Sequence, residues 1–298
     1  MGYLYLLAVA LMFSFGGSCV KTIRPCFTPP MITLLRFSVG VGWLLLLKAV
    51  RRQRFRADFT GNCRRCWRWL LLGAVSKWGA YLLENTALSI GVSYGNILTQ
   101  PVQMVLLAVL GAVALHEALD GGKRAGVALC VLGILLISWN GLSLSEFLGD
   151  NLALTLMYVV SGCCAGLFVF AQKKLAGDFD GLDSNLVMFT AAALLSLIQP
   201  AAQGQLAPQA PIGARCAAAI LFYGFITGIG FYLNALAIPL VPFYMVPLLQ
   251  STMVFFSILW GILFFHERVS IWIVCGALLY VAGLVVMQGR HLPARRRR

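Results

Sequence analysis

The sequence predicts an all-α integral membrane protein, with ten transmembrane helices arranged as two inverted five-helix repeats. Three observations carry this. Sixty per cent of the 298 residues are hydrophobic and 11% are charged, where soluble domains carry about 45–50% and roughly 25%. The apolar residues gather into ten runs near the length that spans a bilayer, about 20 residues. The second half of the chain repeats the first at a fixed offset. Mean hydropathy is +0.86, and lipid is the solvent in which an outward face need not be polar.

In chain order the runs are 2–20, 31–50, 69–89, 93–115, 125–139, 152–171, 185–202, 214–235, 242–265 and 271–287. No Lys or Arg precedes the first, and Lys21 follows it. A cleaved leader carries a basic segment first, so this run is expected to stay as a helix. The second run holds Arg36, and the third holds Lys77, Tyr81, Glu84 and Asn85. The fourth carries Asn96, Gln100 and Gln103 along one face, with Pro101 expected to break its hydrogen-bond ladder. The fifth and tenth each carry two glycines seven apart, Gly126 and Gly133, then Gly276 and Gly283. Small residues on one face permit close helix approach, so these two helices are expected to form a packing or homodimer-forming element. Connections are short except 51–68 and 199–211.

Net charge is +13, which in a soluble protein would suggest nucleic acid. Here the basic residues cluster in a few loops, so no nucleic-acid partner is expected and the charge reads as membrane orientation. With the N-terminus in the cytoplasm, 17 Lys and Arg fall on that side and four on the other. Both termini are therefore predicted to be cytoplasmic. The tail 290–298, with five arginines, faces anionic lipid.

The repeat appears at an offset of 150. Tyr94, Leu98, Gln100, Gly111, His116, Glu117, Gly126, Leu129, Val131 and Gly133 each meet the same residue type 150 positions later. That makes 10 identities in 40 positions, against roughly three expected from composition. The halves are 1–142 and 150–289. Five spans per half is odd, so the second half lies upside down relative to the first. Such inverted repeats recur in transporters, with the solute site near the midplane.

The duplicated motifs resemble a known family. Gly111-Ala-Val-Ala-Leu-His116-Glu117 precedes Gly126 and Gly133, and Gly261-Ile-Leu-Phe-Phe-His266-Glu267 precedes Gly276 and Gly283. Asn85-Thr-Ala-Leu88 and Asn234-Ala-Leu236 stand before those stretches. In this order the motifs are similar to those of the drug/metabolite transporter superfamily, in particular the bacterial ten-helix group called EamA-like. Departures occur at Ser251, which stands opposite Pro101, and at Ser14-Phe15-Gly16-Gly17, which replaces a frequent Trp-Gly. The resemblance implies a cavity surrounded by the first four helices of each half, a bacterial inner (plasma) membrane, and export or exchange of small metabolites, often amino acids or related amphiphiles.

Polar and ionisable groups within spans face the bundle interior, because hydrocarbon penalises them. Substrate-binding or cavity-lining candidates are therefore Tyr81, Lys77, Asn96, Gln100, Gln103, Asn234 and Gln250. Glu84, the lone acid deep in a span, is the coupling-ion candidate, or else one half of a structural ion pair with Lys77 or Arg36. Seven helical residues, about 10 Å, separate Lys77 from Glu84, too far for direct contact unless both bend. His116, Glu117, His266 and Glu267 are assigned gating or structural roles, and Arg36 and Lys21 likewise, with Arg36 either snorkelling to the interface or facing the cavity. Neither His-Glu pair has a second His at i+4, and Cys63-Arg-Arg-Cys66 has no second cysteine pair. Neither a metal site nor another cofactor is expected, and no enzyme activity. The partners expected are a small-molecule substrate and the lipid bilayer. A transporter, a passive facilitator on the same scaffold and, more remotely, a membrane enzyme are the functional alternatives.

Overall fold

The computed structural model of the chain describes residues 2–53, 55, 59–91, 98–114, 121–139, 141, 143, 152–175, 177–237, 240, 250, 252–267 and 269–288. Every regular element among them is a helix. The first span is α1 (Gly2–Ser14) and α2 (Gly16–Ile23), with a turn at Phe15 where Gly16 and Gly17 follow. The second is α3 (Pro29–Val50), which opens with two prolines after an extended Thr28. Prolines suit this position, since the first helical N–H groups have no partner anyway. A short α4 (Phe59–Arg65) lies in the long connection ahead of α5 (Trp67–Ile90). Then come α6 (Thr99–Ala114), α7 (Gly121–Trp139), α8 (Leu152–Leu175) and α9 (Gly181–Ala202). The Asp180 carboxylate caps α9 by accepting from the Leu182 N–H at 3.3 Å.

The eighth span is α10 (Ala214–Phe225), a π-helical turn (Ile226–Gly230) and α11 (Phe231–Ala237). The chain ends its described course with α12 (Met253–Phe265) and α13 (Ile271–Gln288). Among the described residues, each of the ten apolar runs thus holds one helix or helix pair. Five stretches are by themselves long and apolar enough to cross a membrane: Gly2–Ile23, Pro29–Val50, Leu152–Leu175, Gly181–Ala202 and Ala214–Ala237. The outward faces present Leu4, Leu46, Leu194, Leu221 and Leu263, a surface suited to lipid and not to water.

Pro101 does not interrupt a ladder as expected. It lies in the first turn of α6, a position at which proline is tolerated. The break in regularity is instead the π turn at Ile226–Gly230. There Gly228 lets α3 approach so closely that a Cβ added to it would lie 2.6 Å from the Gly40 carbonyl oxygen.

The inversion of the halves is visible in how related helices meet. α7 and α13 correspond at the 150-residue offset, and they pack against each other antiparallel. A Cβ on Gly133 would lie 2.8 Å from the Gly276 oxygen, and one on Gly283 would lie 2.8 Å from the Gly126 oxygen. Each glycine therefore opposes the non-equivalent glycine of the partner helix. At the crossing, the Cys130 thiol points to the Tyr280 carbonyl, 3.7 Å away and 150 residues on. The other contacts obey the same exchange: α5 packs on α8 as α11 packs on α1, and α6 on α8 as α12 on α1. The second and seventh spans, α3 and α9, pair directly across the centre.

Candidate functional site

The site forms where α3, α5, α8 and the π turn meet. On α3, Arg36 and Gly40 are one turn apart and share a face. Gly40 admits the π turn, and this brings Thr227 to Arg36. The guanidinium donates from Nε to Thr227 Oγ1 at 2.8 Å and from Nη1 to the Tyr223 hydroxyl at 2.5 Å. It also lies 4.0 Å from Glu84 Oε1 and stacks 3.3 Å from the Tyr81 ring centre. Arg36 is only 4% exposed. It therefore faces the bundle interior and does not snorkel to the interface.

The network continues from Tyr223. Its hydroxyl donates to Asn85 Oδ1 at 2.8 Å, and Asn85 Nδ2 donates to Thr33 Oγ1 at 2.8 Å. Thr33 in turn donates to the Pro29 carbonyl at 3.0 Å. Asn85, Thr33 and Thr227 are fully buried. Each donor has an acceptor, as burial in low dielectric demands.

Lys77 lies two turns from Glu84 on the same helix and does not reach it. Its ammonium sits among three rings, 4.0 Å from the centre of Phe231, 4.1 Å from Tyr81 and 4.6 Å from Phe168. These rings come from α11, α5 and α8. Phe37 and Phe189 extend the aromatic wall, at 5.5 Å from Tyr81 and 5.5 Å from Phe231 respectively. Cation–π attraction holds the ammonium there. Tyr81 serves both cations, so it is a divider between them as much as a lining residue.

The remaining polar candidates fall in two groups. Asn234 and Gln250 are joined directly, the Gln250 amide donating to Asn234 Oδ1 at 2.7 Å, and both are half-buried. Gln100 and Gln103 are half-buried on α6, which packs on α8 through Gly162 and Gly166. Lys21 lies half-buried in the last turn of α2. Asn96, His116 and Glu117 lie outside the described residues. His266 and Glu267 close α12. His266 adopts left-handed φ 51°, and the His266 and Glu267 N–H groups bond the Ile262 and Gly261 carbonyls at 3.1 Å each. A left-handed residue just past the helix whose N–H bonds the carbonyl four residues back is the αL cap, which gives the second His-Glu pair a helix-ending role.

Sequence reasoning missed Tyr223, Thr227 and the ring pair Phe168 and Phe231. One signal was available: a guanidinium within a span needs acceptors, and Tyr223 and Thr227 stand one turn apart in the eighth span. It also missed a second cluster at the end of the bundle that carries the 51–68 connection. Lys48 of α3 and Asp183 of α9 form a buried ion pair. Arg51 donates to the Tyr232 hydroxyl, and Arg65 pairs with Asp178. Asn62 donates to the Asp178 carbonyl at 2.9 Å, and the Cys66 thiol donates to the Asp178 carboxylate at 3.3 Å. Every one of these contacts joins the first half of the chain to the second. Burial and the Asp178 carboxylate raise the Cys66 thiol above its usual range, while Arg65 opposes this. Among the described residues no cluster of three or more His, Cys, Asp or Glu could hold a metal ion.

Ten helical spans in two mutually inverted halves, closed around charged and aromatic side chains, define a polytopic α-helical membrane protein. The chain belongs to the EamA-like transporter family, whose model matches it twice, over residues 1–139 and 152–288. It is therefore a multi-pass integral membrane protein, and the family consists of transporters, not enzymes. A solved structure described only as the crystal structure of a protein shares the fold, with TM-score 0.69 and 17% identity, over 97% of this chain and 98% of that one. No curated protein matches the sequence.

Proposed function

We propose that this protein is a secondary transporter that moves a small metabolite, an amino acid or related amphiphile, out of the cell by alternating access. The observation that supports this reading best is the buried set Arg36, Glu84 and Lys77, held at the junction of the two halves by residues from both. Ionisable groups at such depth are costly and mark solute or ion pathways. In the proposed cycle Glu84 is the coupling-ion group, and Lys77, Tyr81, Asn96, Gln100, Gln103, Asn234 and Gln250 contact solute. The two halves, 1–142 and 150–289, rock against one another about the α3–α9 and α7–α13 pairs. The ion pairs of Lys48 with Asp183 and Arg65 with Asp178 close the cytoplasmic end in one state. Both termini are cytoplasmic and the membrane is the bacterial inner membrane. A homodimer at the last helices would use their outward faces, Leu132, Leu135, Leu278 and Val285, because their glycine faces are engaged within one chain.

The test is a counterflow screen in proteoliposomes with amino acids, nucleosides and amines. Exchange of at least one class, lost in Gln100→Leu and Gln103→Leu without loss of membrane insertion, supports the reading. Leucine inserts more readily than glutamine, so lost exchange would not reflect failed insertion. Normal exchange in both variants would remove these side chains from the pathway, and no exchange of any solute would overturn the transporter reading.

A further inference from the structure

The ionic balance inside the spans does not close. Of the ten acidic residues in the sequence, Glu84 alone falls in the middle of an apolar run, and among the described residues it is the one deep acid. Two bases lie as deep, Arg36 and Lys77. Arg36 is a guanidinium, which stays charged in proteins, and it faces Glu84 at 4.0 Å. Lys77 is left with rings alone. Among the described residues it has no carboxylate within 4 Å and no hydrogen-bond acceptor. An ammonium carries three donors, and leaving them unanswered in a buried site is costly even with aromatic attraction.

We propose that Lys77 is the docking point for the carboxylate of the solute, and that the protein's substrates are organic monocarboxylates with an apolar or aromatic body and no ammonium group. The inference rests on the transport reading above and narrows its solute class, from amino acids and related amphiphiles to the amphiphiles that carry a carboxylate and no ammonium. A single negative charge on the solute supplies the missing partner for Lys77. Phe168, Phe231, Phe189 and Phe37 supply a wall for the carbon body. A solute ammonium would meet two cations and one acid that already faces Arg36, so amines and amino acids are disfavoured by like charge. A charge-assisted contact of this kind also discriminates sharply against an amide of equal shape.

Four compounds with one benzyl body decide this: phenylacetate, phenylacetamide, 2-phenylethylamine and phenylalanine. In proteoliposomes holding the whole chain, phenylacetate counterflow should exceed that of each of the others at least about tenfold. Phenylacetate should also raise the unfolding temperature of the detergent-solubilised protein, and the amide should not. Lys77→Gln should lose both effects. The empty Lys77→Met protein should unfold at the same temperature as the parent or higher, because a buried charge without a counter-charge has been removed. Preference for the amine, amide or amino acid overturns the charge assignment and leaves transport standing, and so does undiminished phenylacetate exchange in Lys77→Gln. This comparison of four compounds on the parent protein holds even if a variant fails to fold. Exchange of no compound in this panel or in the wider screen overturns both readings.

Discussion

Glu84 and Arg36 face each other across 4.0 Å on neighbouring spans, and the guanidinium also holds Tyr223 and Thr227 from the second half of the chain. Glu84→Gln removes the only anion near this cation among the described residues. Breaking a buried pair costs about 3–5 kcal/mol when nothing else answers the remaining charge. Two neutral oxygens still do so here, so the expected loss is smaller, about 1–3 kcal/mol. It should appear as a lower unfolding temperature in detergent, partly recovered when Arg36→Gln is added. If Glu84 carries the coupling proton, the same variant should also flatten the pH profile of transport. A stable, active Glu84→Gln protein with the parent pH profile would remove both roles.

The Lys48–Asp183 pair is the second test of how the halves are held. Both side chains are buried between α3 and α9. Asp183→Ala strands the Lys48 ammonium over the Phe55 ring, 3.7 Å from its centre. The expected cost is about 3 kcal/mol. Exchanging the charges, with Lys48→Asp and Asp183→Lys together, should restore more than half of the lost stability. Failure of the exchange would show that the sites are not electrostatically equivalent and that packing dominates.

Cys63 and Cys66 report on both topology and local charge. Burial raises both thiols above their usual range, and Asp178 adds to the rise at Cys66. A raised thiol is mostly protonated near pH 7, and the thiolate is the reactive form. In a variant that keeps only these two cysteines, maleimide labelling should therefore be slow at pH 7 and accelerate as pH rises past 9. Asp178→Asn should speed labelling of Cys66 at fixed pH. An impermeant maleimide applied outside intact cells should label neither, and labelling from outside would reverse the proposed orientation.

Gly133 tests the α7–α13 contact. A Cβ there would meet the Gly276 oxygen at 2.8 Å and the Tyr280 nitrogen at 3.0 Å. Backbone on both sides cannot rotate away, so Gly133→Ala should destabilise by about 1–3 kcal/mol. Gly42→Ala is the control. It is also helical but has nothing within 4 Å of the added carbon, and should be neutral or up to about 1 kcal/mol stabilising. Equal unfolding temperatures for the two variants would contradict the close packing.

Much of the fold was legible because lipid imposes a crude rule. Runs of apolar residues about 20 long have one outcome, and an odd repeat number forces inversion. The glycine pairs also announced a close contact, although spacing alone does not name the partner: Gly133 could have met another chain as readily as Gly276. The site was half legible. Lys77, Tyr81 and Glu84 stood out because charge is rare in spans. Their partners did not, since Tyr223, Thr227 and Phe231 are ordinary membrane residues whose role depends on which helix lies opposite. The π turn that aims Thr227 was hidden too. Thr227-Gly-Ile-Gly230 reads as flexible helix, and only the approach of Gly40 shows why it widens.

The Gly133–Gly276 contact also sets a timetable for assembly. α7 leaves the ribosome with its glycine stripe facing no mate, because the helix that covers it lies about 150 residues downstream. At roughly 5–20 residues per second, that interval is about 8–30 s. For this time the first half sits in the bilayer with a surface made for tight helix contact, open to any neighbour in the translocation machinery or the surrounding membrane. A chaperone or insertase that shields small-residue faces would act in this window, and pausing translation after α12 would lengthen it.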